Sequence, residues 1–291
     1  MSWRIVSVTS LSKLDYKLDY LVIRNKEGIT RIHLSEISIL ILESTAISLT
    51  AYLLRELDRR KIDVIFCDEK RLPYAMFSSL YGSHDTALCY RQQINWSDEI
   101  KDSVWAAIIR RKIYSQYSLL SESEVAEREL LLSYIEQVQP GDVTNREGHA
   151  AKVYFNALFG QEYSRTSDNA INSCLNYGYS LLLSATAREI IAAGYCTQLG
   201  IFHANRFNRF NLASDLMEPF RVFVDAKVKD LQPGLFEKEQ KRQLIAVLNT
   251  QLDIAGKKQF LLIALRIFVK SALDALSHEN LNEICFPDYN I

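Results

Sequence analysis

Two carboxylates and an imidazole, spread over three segments, are the residues of this 291-residue chain best suited to chemistry. One segment is Asn145-Arg-Glu147-Gly-His149. A second is His203, within Gly200-Ile-Phe-His-Ala. The third is Asp215-Leu-Met-Glu218-Pro-Phe-Arg221, with Asp225 one turn on. Residues three or four apart share a helix face, so Asp215 and Glu218 point the same way, as do Glu218 and Arg221. If the three segments converge, hard oxygen ligands with one nitrogen suit Mn²⁺ or Mg²⁺ better than zinc, because no thiolate is near them in sequence. Such a cation polarises a phosphoryl oxygen and activates a hydroxyl nucleophile.

Each segment also has a plain structural reading, and spacing alone leaves both open. Glu147 lies three residues after Thr144, the spacing of a capping box. A lone histidine is more often a packed side chain than a ligand. Asp215 suits the first turn of a helix, near the positive end of its dipole. Glu218 and Arg221 could be a solvated i, i+3 pair worth roughly 0.2–0.5 kcal/mol.

Basic residues surround these segments. Arg110-Arg111-Lys112 is a run, and Arg146, Lys152, Arg165, Arg206, Arg209 and Arg221 lie close in sequence to the candidate ligands. Lys238, Lys241 and Arg242 sit within one or two helical turns of each other. Such clusters position DNA without reading bases, although a solvated helix face has the same composition. Arg146, Arg165, Arg206, Arg209, Lys241 and Arg242 are the DNA-contact candidates. With 34 basic and 35 acidic residues the net charge is −1, so an anionic partner must be held by a local patch. No Walker loop, Gly-x-Gly-x-x-Gly fingerprint or Gly-x-Ser-x-Gly elbow is present, which argues against nucleotide-dependent and serine-hydrolase chemistry.

The elements that must position these residues change character along the chain. Trp3–Val8, Leu14–Ile23, Gly28–Leu34 and Glu36–Leu42 are strand-like, with a turn at Asn25-Lys-Glu-Gly28. Ser44-Thr45 offers an N-cap to a helix with Ala46, Leu49, Leu53 and Leu57 on one face. Ile62–Cys67 reads as another strand, and Pro73 ends the region. Residues 1–75 therefore read as a small, mainly β domain. Residues 76–96, with Gly82, Ser83, His84 and Asp85, read as a linker.

From 97 to 291 the pattern is helical. Ser97 caps a helix running past Ile113, Ser121-x-x-Glu124 opens a second that Pro140-Gly141 stops, and Thr144-x-x-Glu147 opens a third. Further helices are expected at about 168–193, 213–230, 237–254 and 258–278, punctuated by Gly200, Pro233-Gly234 and Gly256. The fold class is α+β: a small N-terminal mainly β domain followed by a larger all-α catalytic domain.

Composition agrees with a folded chain: 48% of residues are apolar and 24% charged, which excludes a wholly disordered one. No run approaches the ~20 apolar residues of a membrane span, and no apolar signal region follows Arg4. Five widely separated cysteines form no zinc or disulfide pattern and read as reduced thiols of a cytoplasmic protein.

With these residues in view, the chain resembles the CRISPR adaptation integrase, the metal-dependent DNA endonuclease of spacer acquisition, and most closely its type II branch. The resemblance lies in Arg146-Glu-Gly-His-Ala-Ala-Lys-Val-Tyr-Phe155, in Asp168-Asn-Ala-Ile-Asn-Ser-Cys-Leu-Asn-Tyr-Gly-Tyr179, in His203, and in Asn211-Leu-Ala-Ser-Asp-Leu-Met-Glu-Pro-Phe-Arg221 with Val224-Asp225. It covers nearly the whole chain.

The resemblance implies that Glu147, His203 and Glu218 are catalytic metal ligands for Mg²⁺ or Mn²⁺, with Asp215 assisting. It implies that the 3′-hydroxyl ends of a short captured DNA duplex attack the border of a CRISPR repeat by transesterification. The N-terminal domain would serve dimerisation. The implied partners are double-stranded DNA, a second copy of the chain and a small second adaptation protein. A ring-shaped DNA-end-binding protein and the RNA-guided effector nuclease are also implied. Two other functions fit the same residues: a repair nuclease that hydrolyses branched DNA, or a non-catalytic DNA-binding subunit of the same complex.

Overall fold

The structure is a computed structural model that describes residues 4–69, 71, 73–77 and 85–289. The chain divides into two units, Met1–Gly82 and Ser83–Ile291. In the first, the order is β1 (Arg4–Val8), β2 (Ser12–Lys17), β3 (Tyr20–Asn25), β4 (Gly28–His33), β5 (Ile37–Leu42), β6 (Ile47–Leu49), α1 (Ala51–Arg59), β7 (Asp63–Cys67) and β8 (Pro73–Phe77).

Two four-stranded sheets result, in the orders β1-β5-β7-β8 and β4-β3-β2-β6. All six residues of β5 are buried, as expected of a central strand covered on both faces and paired in parallel on each side. The turn at Asn25–Gly28 joins β3 to β4, with the Asn25 side chain accepting from the Glu27 and Gly28 amides. Leu14, Leu21, Leu34, Leu40, Leu53 and Leu57 are among the residues of this unit's core.

The structure corrects the reading of this unit at two places. The α1 helix is capped by Thr50, whose hydroxyl accepts from the Leu53 amide at 3.2 Å, and not by Ser44-Thr45. Ile47–Leu49 pairs with β2 as a strand, which suits β-branched Ile47. Pro73 does not end the sheet. It opens β8 at the sheet edge, where its missing N–H costs least.

The second unit begins with α2 (Thr86–Ile94), inside the segment read as linker; Gly82, Ser83 and His84 lie outside the described residues. There follow α3 (Asp98–Leu119), α4 (Val125–Gln137), α5 (Arg146–Phe159) and α6 (Ala170–Ala192), then α7 (Asn211–Leu216) and α8 (Arg221–Leu231). The chain continues with α9 (Lys238–Val247), β9 (Gln251–Ile254), β10 (Lys257–Phe260), α10 (Leu261–His278) and β11 (Pro287–Asp288).

Ser97 caps α3 as expected. Ser121 and Glu124 do bond to each other, but α4 starts only at Val125. The helix expected over 213–230 is broken at Glu218–Phe220 into a 3₁₀ turn holding Pro219, which cannot donate an amide to a continuing α-helix. The helix expected over 237–254 stops at Val247, because Ala255 and Gly256 both take positive φ and turn a β9–β10 hairpin. With β11 this hairpin gives the helical unit a small antiparallel sheet.

Candidate active site

His203 is held by Asp215. The Asp215 carboxylate is fully buried near the end of α7. It accepts from the backbone amides of Ile201 (2.7 Å), Phe202 (3.1 Å) and His203 (3.2 Å), and meets His203 Nδ1 at 2.5 Å. One carboxylate thus fixes both the loop and the ring it carries.

The loop can come this close because residue 200 is glycine: a Cβ there would lie 2.3 Å from the His203 carbonyl and 2.7 Å from Asp215 Oδ2. Trp105 of α3 closes the other side, stacked on Phe202 at 4.5 Å and edge-on to His203 at 5.9 Å. The bond to Asp215 raises the His203 pKa; burial opposes it, and the charges of Asp215, Glu218 and Glu147 add to the rise.

Glu147 sits in the first turn of α5. The Thr144–Glu147 capping box does not form. Asn145 caps the helix through the Gly148 amide, and the Asp142 carboxylate accepts from the amides of Arg146 (2.8 Å) and Glu147 (2.9 Å). The Glu147 carboxylate is therefore free to point elsewhere, and it meets Lys112 Nζ at 2.5 Å.

Glu218 opens the 3₁₀ turn and is 3% exposed. Its Oε1 accepts from Arg221 Nε at 2.9 Å. Its Oε2 faces the same Lys112 ammonium at 2.6 Å, an ion pair without hydrogen-bond alignment. Burial alone would raise the Glu218 carboxyl, but Arg221 and Lys112 outweigh it and hold the pKa below the usual range. For Lys112, burial lowers the pKa, and Glu218 and Glu147 more than restore it, so the ammonium stays charged. Among the described residues no three His, Cys, Asp or Glu side chains stand together as a metal shell; the two glutamates instead share an ammonium.

A second buried network backs this one. Asp225 of α8 accepts from Tyr154 at 3.0 Å and from Tyr179. Burial raises its pKa to about 6, with the two tyrosine bonds opposing. The Arg221 guanidinium lies over the Tyr179 ring at 4.5 Å, so it is packed on one side while its Nε holds Glu218. Gly178 lets α6 and α8 approach: a Cβ there would lie 2.4 Å from Val224 Cγ1.

The basic candidates separate by environment. Arg206 and Arg209 are exposed on the His203 loop, Arg206 over the Phe207 ring at 4.5 Å. Arg146 is partly buried over Tyr134. Arg165 bonds Asn172 and Asn176 and lies over Tyr179. Arg242 pairs with Glu239. Lys241 is not on the solvent face: it is buried, its ammonium over the rings of Phe236 and Tyr177. Of the Arg110-Arg111-Lys112 run only Lys112 is buried; Arg111 is partly buried and Arg110 exposed, yet each has partners within the protein. Arg110 donates to the Val138 carbonyl, Arg111 to Pro287 and Asp288, and Lys112 to Glu147, with Glu218 as its ion-pair partner.

Sequence reasoning missed Lys112, Trp105 and Asp142. A signal for Lys112 was present: Trp105, Ile108, Ile109, Lys112 and Gln116 follow helical spacing, which places a lysine inside an apolar stripe.

The family described as CRISPR associated protein Cas1 matches residues 6–261. The CRISPR-associated endonuclease Cas1 of Neisseria meningitidis serogroup C (strain 8013) is 31% identical over 300 aligned positions, covering 99% of this chain and 97% of that one. Among solved structures, a casposase bound to integration product superposes with a TM-score of 0.78 at 18% identity, over 97% of this chain and 92% of that one. A chain of a Cas6-RT-Cas1--Cas2 complex gives a TM-score of 0.73 at 18% identity, over 97% of this chain and 36% of that one. At these identities the two structures speak for the fold, a β-rich N-terminal unit followed by a helical one. With a relative of 31% identity across almost its full length, the chain belongs to the CRISPR-associated Cas1 family.

Proposed function

We propose that Glu147, His203 and Glu218 are the metal ligands of this family member and that Asp215 orients His203. The chain is an integrase and endonuclease of CRISPR adaptation. It joins 3′-hydroxyl ends of short captured DNA duplexes to the repeat border by transesterification: one phosphorus–oxygen bond forms as another breaks, so no ATP is required.

The observation that carries the site is the convergence of Glu147 and Glu218, from separate elements, on one buried cation, with His203 in their electrostatic reach. The donors fit a hard divalent ion. Glu218 Oε2 is buried without an aligned hydrogen-bond donor, and His203 keeps Nε2 once Nδ1 is tied to Asp215. Oxygen ligands without thiolate favour Mg²⁺ or Mn²⁺. When bound, such an ion polarises the phosphoryl oxygen and acidifies the attacking hydroxyl.

The protein's own part is positioning. Asp215 fixes the ring orientation of His203. Arg221 holds Glu218, and Asp142 caps α5 so that the Glu147 carboxylate projects free of the helix end. Arg206 and Arg209 are the exposed cations on the His203 loop, suited to DNA phosphates.

The likeness to the Cas6-RT-Cas1--Cas2 complex supports a small Cas2-type partner. We extend the set to a homodimer formed through the N-terminal unit, a ring-shaped DNA-end-binding protein and the RNA-guided effector nuclease. No helix among the described residues is long and apolar enough to cross a membrane. We place the site of action in the cytoplasm, as part of the same proposal.

The test is strand transfer on a branched, integration-like DNA with Mn²⁺ or Mg²⁺, and with EDTA. Glu147→Ala, His203→Ala and Glu218→Ala are each expected to lose joined product while retaining DNA binding. Near-normal joining by any one of them removes that residue from the site. Metal-dependent cutting without joining would favour a repair nuclease instead.

A further inference from the structure

Lys112 is the only cation that touches both glutamates among the described residues, and it does so from a helix that contributes neither. Its stem runs along the buried face of α3, with Trp105, Ile108 and Ile109 on the preceding turns. Its ammonium stands 2.5 Å from Glu147 and 2.6 Å from Glu218. Arg221 takes only the other Glu218 oxygen. Two glutamates against one lysine and one arginine give a neutral cluster with no metal present. A divalent ion on the same oxygens would add two positive charges within bonding distance of an ammonium. At such separations two like charges repel strongly, and more so out of water. Ammonium and metal are therefore alternatives for these oxygens.

We infer that Lys112 is a resident counter-cation, which holds Glu147 and Glu218 together in the metal-free protein and is displaced from them when the metal binds. The inference rests on the assignment of those residues as metal ligands. The chemistry of lysine suits the exchange. An ammonium is a point charge on a flexible four-carbon stem, whereas a guanidinium is a rigid fork. The glutamates' alternative in an empty site would be mutual repulsion and loss of geometry. An exit path is also present, since the Glu147 side chain at this end of the cluster is 30% exposed.

A purely structural lysine and a placeholder predict opposite signs. If Lys112 only supported the ligands, its removal would weaken metal binding; if it competes with the metal, its removal strengthens it. The experiment is a Mn²⁺ titration of the full chain without DNA, with free Mn²⁺ read by electron paramagnetic resonance. Wild type, Lys112→Met, Lys112→Gln and Glu218→Gln are compared. Glu218→Gln is expected to lose the site, and both Lys112 variants to bind Mn²⁺ about tenfold or more tighter than wild type, a shift of about 1.4 kcal/mol. Unchanged or weaker binding in the Lys112 variants overturns the inference while leaving the ligands in place. Wild type and Glu218→Gln behaving alike would overturn the ligand assignment itself.

A readout on wild type alone guards against variants that do not fold. Reductive methylation followed by mass spectrometry is expected to spare Lys112 in EDTA and to modify it in Mn²⁺. Equal protection in both conditions overturns the inference.

Discussion

The Asp215 carboxylate bonds the Nδ1 of His203 and, with the same two oxygens, three consecutive backbone amides that lead into it. Ring and loop are therefore set by one buried charge. Asp215→Asn keeps the shape but loses the charge, and it is expected to lower strand transfer by roughly 10–100-fold with little change in DNA binding. The pKa of His203, raised mainly by that bond, should fall towards the ordinary value, which histidine proton titration by NMR would detect. Full activity in the variant would mean that the ring is oriented by something else.

Gly200 is placed to test the same loop from the backbone. An added methyl meets a carbonyl and a buried carboxylate, neither of which can move aside cheaply. Gly200→Ala should cost about 1–3 kcal/mol of stability and most of the strand transfer. Thermal melting and a joining assay check this, and an unchanged Tm with normal joining would contradict the geometry.

DNA binding should depend on the cations that face solvent. Replacing Arg206 and Arg209 together by glutamine is expected to reduce the slope of log affinity against log salt by about 0.9 for each phosphate no longer neutralised. Arg242→Gln should leave the slope nearly unchanged, because Glu239 already pairs with that side chain. Lys241→Gln should act on melting temperature rather than on the slope, since the residue is buried. Equal slopes for wild type and the Arg206/Arg209 double variant would place the DNA elsewhere.

Asp225 gives a prediction for stability against pH. Its folded pKa is about 6, raised by burial from 3.8. The folded state therefore holds the proton more tightly than the unfolded chain. The stability this contributes is complete below pH of about 4, falls as pH rises to about 6, and is gone above, a loss of about 3 kcal/mol. Asp225→Asn removes that decline. Urea unfolding of both proteins across this range should show the difference between them changing from pH 4 to 6. Parallel curves would show that the carboxyl does not titrate there.

Much of this arrangement was legible in the sequence, where the signals are local. Ser97 capped its helix as its position suggested, and the run of buried residues in β5 read as a strand. Segments with two competing signals were harder. Ile47–Leu49 continues a helical apolar spacing, yet the open edge of β2 takes it as a strand. The span 237–254 keeps helical spacing until Ala255 and Gly256 reverse the chain.

The candidate site shows the same division. Glu147, His203, Asp215 and Glu218 stand out by residue type. What holds them does not, because Lys112 is 35 residues from Glu147 and looks like part of a basic surface run. Only its burial in an apolar stripe distinguishes it, and an unpaired lysine would not be stable there.

The carbonyl of Pro219, next to Glu218, accepts a 2.7 Å hydrogen bond from the hydroxyl of Tyr289, 70 residues later. Arg111, on the helix that carries Lys112, reaches forward to Pro287 and Asp288. The order of synthesis therefore differs from the order of assembly. A nascent chain acquires every candidate ligand by residue 218, yet the turn carrying the last of them is fastened only when residues 287–289 have emerged. A product that stopped short of Pro287 would bear the full set of chemical groups but not the clasp that sets Glu218 in place.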